Sequence, residues 1–197
     1  MRICIPDLLN KQGDLLEVCV TPWDKIENVL AKESSNPSEY EFNRSVSKAL
    51  HDYANANSII SYANPIAKWA IGFGQSVCYW CDLYTVSSGR ACFPFFDPRI
   101  TNRLTVEARR FAFSVMHERI RVPDPDFSDA KLMIIQFAKD QLGGRSIQAF
   151  DSDNVSLFDF DMLNAMVTRT YQIWKEILEE REGARATGTD DFGPLFA

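Results

Sequence analysis

Val77-Cys-Tyr-Trp-Cys-Asp-Leu-Tyr-Thr-Val-Ser-Ser-Gly-Arg-Ala-Cys-Phe-Pro-Phe-Phe96 is the stretch that decides the fold. β-Branched and aromatic residues crowd both sides of Ser87-Ser88-Gly89, the composition of two strands joined by a tight turn. The reading is a hairpin, with one strand over 77–86 and its return over 90–96. Proline cannot donate to a ladder, so Pro94 puts the return strand at an edge or on a bulge. Downstream, Thr101 or Asn102 can cap a helix running to Arg121, and Pro123 and Pro125 end it. A second hairpin follows, with strands over 131–138 and 145–150 around Leu142-Gly143-Gly144. The alternative for 128–142 is a helix capped by Ser128.

Working outward, 3–5 and 15–20 read as short strands, with Lys11-Gln12-Gly13-Asp14 as a turn between them. Pro22 opens a helix over 24–32. A longer helix starts near Ser38, with Phe42, Val46, Ala49, Leu50 and Tyr53 on one stripe. Residues 55–64 read as a loop or helix end, and Pro65 restarts a short apolar helix through Trp69 to Ile71. The final helix begins near Asp159 or Asp161, with Met162, Leu163, Met166, Val167, Ile173, Trp174, Ile177 and Leu178 as its apolar stripe. Residues 182–197 are small, polar and Gly-bearing, the composition of a disordered tail. The expectation is a single α+β domain over 1–181, two β-hairpins packed against amphipathic helices.

Composition bounds the function. With 46% hydrophobic and 12% aromatic residues in 197, the chain can build a core, which excludes the disordered class. A formal net charge of -6 argues against non-specific coating of nucleic acid, so any phosphate contact must be local. No apolar run reaches the ~18–20 residues of a membrane span, and the start lacks the apolar stretch of a signal peptide. Five cysteines, Cys4, Cys19, Cys78, Cys81 and Cys92, are odd in number and sit mostly among apolar residues. Reduced thiols and a cytoplasmic location, or a peripheral one at the inner membrane through a partner, fit best.

Between Arg99 and Arg121 stand six arginines against two acids, Glu107 and Glu118. At 100° per residue, Arg103, Glu107, Arg110, Ser114, His117 and Arg121 fall on one helix face. The functional reading is a cationic ridge for phosphates, with arginine preferred for its fork. The plainer reading is a solvated face in which Glu107 pairs Arg103 and Arg110. In the turn, Ser88, Gly89 and Arg90 offer amides, hydroxyls and a guanidinium to one phosphate; the same residues are also ordinary hairpin chemistry. Gly143-Gly144-Arg145 has similar ingredients. None matches a P-loop, and Gly72-Phe73-Gly74 lacks the third glycine of a dinucleotide fingerprint. Cys78 and Cys81 lack a second ligand pair for zinc and sit in a strand, where a redox pair would open a helix. Asp151-x-Asp153 fails as a calcium loop because Met162 stands where glutamate belongs. Asp124 and Asp126 are the candidate catalytic and metal residues, holding Mg2+ beside an ATP phosphate. A proline-broken acidic loop is the plainer account of them. The hairpin aromatics Tyr79, Trp80, Tyr84 and Phe95 are the candidate anchors for a protein partner.

Tyr62-Ala-Asn-Pro-Ile-Ala-Lys-Trp69 through Cys92-Phe-Pro-Phe-Phe-Asp-Pro-Arg99, with Phe158-Asp-Phe-Asp-Met-Leu-Asn164, resembles the plasmid-encoded fertility inhibition factors typified by the oncogenic suppression activity (Osa) protein. The resemblance covers roughly 1–181 and is one of size and element order. It implies a ParB/sulfiredoxin-like fold, ATPase and DNase activity with Mg2+, and DNA as a ligand. It also implies a block on DNA–protein transfer through a type IV secretion system, acting on the coupling protein or its DNA–protein substrate. Gly89-Arg90-Ala91-Cys92 lacks the histidine of the sulfiredoxin motif, which speaks against sulfinic acid repair. The rival reading is a non-enzymatic inhibitor that docks on the coupling ATPase through the aromatic hairpin.

Overall fold

In a computed structural model of the chain, β4 (Leu83–Ser87) and β5 (Arg90–Asp97) form the expected hairpin. Ser88 and Gly89 both adopt positive φ, 52° and 76°, the two-residue geometry that suits the right-handed twist of paired strands. The structure describes residues 4–12, 20–64, 66, 68–70, 76–77, 83–141 and 144–186. Cys78, Cys81, Tyr79 and Trp80, and Gly72 with its bend, lie outside them.

Five strands form one sheet in the order β1-β4-β5-β6-β7, where β1 is Ile60–Ala63, β6 Lys131–Lys139 and β7 Arg145–Asp151. All neighbours are antiparallel except β5 and β6, which run parallel from Cys92↔Lys131 to Asp97↔Gln136. A parallel pair needs a crossover, supplied by α4 (Val106–Met116) and a π-helical turn, His117–Arg121. Pro94 therefore sits in an interior strand, contrary to expectation. Among the described residues the ladder to β4 runs from Ser87↔Arg90 to Thr85↔Cys92, and Pro94 stands opposite Met133 in the parallel ladder to β6.

The central strands bury both faces, and their side chains sort by parity. Leu132 and Ile134 join Phe93, Phe113, Met116 and Ile120 under α4. Ile135, Phe137 and Phe96 join Ile26, Leu30, Val46 and Leu50 of α2 (Trp23–Glu33) and α3 (Pro37–Ala56), with Ile5 and Leu8 of α1 (Ile5–Leu8). Helices thus cover both faces of the sheet. Asn36 caps α3 by accepting from the Glu39 amide at 2.9 Å.

Several local expectations change. Residues 5–8 are helical, because Pro6 suits a first turn. Residues 60–63 extend as β1, which pairs with β4. Trp69–Ala70 (β2) pairs with Ser76–Val77 (β3) in a two-stranded sheet, so the helix expected across Trp69 is absent there. The first strand of the aromatic hairpin is described only from Leu83. Residues 131–139 are strand and not helix, as their buried, β-branched run favours. The last helix, α5 (Phe160–Ala186), continues into the segment read as a tail; 187–197 lie outside the described residues. The described residues make an α+β domain, and no helix among them is long and apolar enough to cross a membrane.

Candidate functional site

The arginines do not form one ridge. Thr105 caps α4, accepting from the Ala108 amide at 3.2 Å, so Arg103 sits in the loop before the helix. There its Nη1 donates to the Phe137 carbonyl at 3.3 Å and to Gln148 Oε1 at 2.7 Å. Arg109 donates to the Leu104 carbonyl and Gln136 Oε1, both at 3.2 Å, and stacks 4.0 Å over the Phe150 ring. Arg110 donates to the Ser156 carbonyl at 2.6 Å and lies 3.9 Å over the Phe158 ring. Its contact with Glu107 is looser, at 3.8 Å. At the end of the π-turn, Arg121 donates to the Ala130 carbonyl at 2.8 Å and to Ser152 Oγ at 3.3 Å. Forked guanidiniums are here staples between segments, each satisfying carbonyls at strand and helix ends.

Asp97 anchors this network. It is 2% exposed, accepts from Arg99 at 2.6 Å, from the Leu104 amide at 2.8 Å and from Gln136 at 2.9 Å. Burial works against its charge, but Arg99 and these donors outweigh it and hold its carboxyl below the usual range. The sequence reasoning missed Asp97, although a lone acid between an apolar strand and Pro98-Arg99 was a signal for it.

Of the turn residues, Ser88, Gly89 and Arg90 are exposed. Arg90 donates to the Asp129 carbonyl at 3.4 Å, so it meets Arg121 at the entry of β6. Burial pushes the Arg121 guanidinium below its ordinary value; Asp153 works against this, and Arg90 adds to it. Arg103 and Arg110 bond to other segments. His117 is half-buried, and its Nδ1 has no hydrogen-bond partner among the described residues. Asp124 caps a 3-10 turn, Pro125–Phe127, accepting from the Asp126 amide at 3.0 Å. Among the described residues no group of three or more His, Cys, Asp or Glu could hold a metal ion.

Tyr84 is half-buried, stacked on Tyr62 at 5.1 Å and tilted against Phe93 and Phe127. Phe95 packs against the α4 core. Burial raises the Cys92 thiol to about 11, a structural cysteine rather than a reactive one.

A different surface emerges where β7 hands over to α5. Residues 155–159 have no regular structure. The Phe158 amide donates to Ser114 Oγ at 2.9 Å, and Arg110 grips the Ser156 carbonyl, so α4 pins this segment from below. Val155 and Leu157 pack against the α4 core, and Phe158 against Leu163 and Val167. Phe160 and Met162, in the first turn of α5, are then 54% and 50% exposed. Asp159 caps the helix, accepting from the Met162 amide at 2.9 Å. Two residues apart on a helix, Phe160 and Met162 point to different sides, so the junction presents exposed apolar side chains on both flanks of the start of α5, with Asp159 and Asp161 beside them and α4 beneath. Exposed apolar side chains of this kind suit contact with another protein.

The comparisons give the class of the chain. The family described as "Sliding clamp-binding bacterial toxin SocB" matches residues 1–184, and the chain belongs to that family. It is 37% identical over 187 residues to the DNA replication inhibitor toxin SocB of Caulobacter vibrioides (strain NA1000 / CB15N), covering 94% of this chain and 78% of that protein. No solved structure matches.

These matches overturn the resemblance to the Osa-type fertility inhibition factors. That resemblance rested on size and element order, and membership of a different family over nearly the whole chain outweighs it. The function, the conjugation and type IV secretion setting, and the coupling protein or its DNA–protein substrate as partners fall with it.

Proposed function

We propose that this chain is a toxin that inhibits DNA replication by occupying a sliding clamp, and that it acts by docking. The observation that carries this reading is family likeness over residues 1–184, joined by 37% identity to a replication inhibitor. The docking surface we assign is the 157–162 junction, where Leu157 and Phe158 are half-buried and Phe160 and Met162 exposed. Aromatic and aliphatic anchors on a base held by Arg110 and Ser114 keep the entropy cost of ordering low on binding. The acids Asp159 and Asp161 form a polar rim.

The test is binding of the purified chain to the purified sliding clamp of its own host, by calorimetry. Phe160→Ala with Met162→Ala should weaken binding by at least about tenfold with the melting temperature nearly unchanged. Unchanged affinity removes this surface from the account; absence of binding by the unaltered chain removes the clamp.

A second reading is favoured by the meeting of Arg90 and Arg121, with Ser88 and Gly89 alongside: a phosphate contact with the DNA that a clamp encloses. Its signature is a salt slope that shrinks in Arg90→Ala. Hydrolysis of ATP with Mg2+ at Asp124 and Asp126 is a separate proposal, tested by metal-dependent phosphate release. The ParB/sulfiredoxin-like assignment came with the resemblance set aside above and has no support from the comparisons. Action on a clamp would place the chain in the cytoplasm; nothing supports a site at the inner membrane.

A further inference from the structure

The face of α5 that buries Leu163 and Val167 against α4 does not stop where the body does. At 100° per residue, Ile173, Trp174, Ile177 and Leu178 continue that face. Leu178 is half-buried, whereas Ile173, Trp174 and Ile177 are 42%, 41% and 39% exposed. Their neighbours from 172 to 183 are exposed apart from the half-buried Leu178 and Arg181. About fifteen residues of such helix are marginal alone in water, so an apolar stripe there calls for cover.

The sequence of the stripe says what covers it. Ile173-Trp174-Lys175-Glu176-Ile177-Leu178 reads apolar-apolar, plus, minus, apolar-apolar, symmetric about the Lys175–Glu176 step. Arg169 and Glu180 stand eleven residues apart, three turns and about 20°, so they share one edge of the stripe. We propose that a second copy of this chain packs antiparallel on this face about a two-fold axis at Lys175–Glu176. Trp174 of each helix then lies level with Ile177 of the other. Arg169, which lies 3.9 Å from Glu176 of its own helix, then comes within about 3 Å, along the axis, of the second copy's Glu180, twice by symmetry. A parallel pair would put the edge that carries Arg169 and Glu180 on opposite sides of the seam in the two copies, so neither residue could reach the other across it. The pattern therefore selects one orientation. This surface lies at the far end of α5 from the 157–162 junction, so the inference does not rest on the clamp reading.

The test is sedimentation velocity of the full chain from about 1 to 100 μM, with circular dichroism melts alongside. The expected result is a monomer–dimer equilibrium that Trp174→Glu weakens by at least about tenfold without lowering the melting temperature. Arg169→Glu and Glu180→Arg should each weaken it by about threefold, and the two together in one chain should restore it. If Trp174→Glu fails to fold, the charge reversals carry the test alone. A chain that stays monomeric at 100 μM would overturn the proposal and leave the stripe to another protein or to another part of this chain. A dimer indifferent to Trp174→Glu, or a double reversal no better than the singles, would overturn it as well.

Discussion

The α4 segment and α5 invert each other. Around α4 the charged side chains that look free in sequence are spent inside the molecule: Arg103, Arg109, Arg110 and Arg121 each hold a carbonyl of a neighbouring segment. Along α5 the apolar side chains that look like core are partly spent outside it, since Phe160, Met162, Ile173, Trp174 and Ile177 are exposed. A guanidinium reaches backbone acceptors cheaply, while an apolar stripe longer than the body it covers must find another surface. On the proposed docking reading, binding follows the exposed apolar surface more than the concentrated charge.

The contrast can be broken at the core both regions lean on. Phe113→Ala, fully buried between α4 and the sheet, should cost about 3–5 kcal/mol by denaturant unfolding and loosen α4 together with the Val155 and Leu157 segment that leads into α5. Asp97→Ala strands the Leu104 amide and Gln136, and should cost about 1–3 kcal/mol while leaving α5 helical. Because the folded carboxyl of Asp97 is held low, its contribution is present above the ordinary carboxylate range and is lost as pH falls through the lower folded value. Asp97→Asn should therefore flatten the acid side of the stability–pH curve.

Smaller effects sharpen the difference. Arg110→Ala removes a staple and a ring contact and should cost about 1 kcal/mol. It should also weaken clamp binding several-fold, since Arg110 positions 156–158, with no change in salt dependence. A loss confined to phosphate binding would instead return Arg110 to the phosphate reading. Trp174→Glu should change stability by less than about 0.5 kcal/mol, as a surface substitution does. A large loss of melting temperature there would mean that the stripe is covered within the chain.

Both hairpins, α2, α3 and the start of α5 were legible because each carries its own local signal: Ser88-Gly89 for the turn, Pro22 before α2, the 3.6-residue stripe for α3 and Asp159 for the start of α5. The parallel β5–β6 pairing was not, since nothing local distinguishes an interior strand bearing Pro94 from an edge one; the partner strand β6 arrives only after the α4 crossover. The fate of the arginines was hidden for a similar reason. A 100° projection places Arg103 and Arg121 on the face of Arg110 only if the helix spans them all, and it begins at Val106 and widens into a π-turn at His117. The 157–162 patch was readable as apolar sequence, but its exposure depends on how α4 grips Ser156 and Phe158 beneath it.

The most direct measurement is the affinity of the purified chain for its host's sliding clamp, with Phe160→Ala/Met162→Ala and Trp174→Glu run beside it. The account predicts binding that the first variant weakens by at least about tenfold and that leaves the clamp affinity per chain of the second close to the unaltered value. Binding that ignores Phe160 and Met162, or no binding at all, would contradict it.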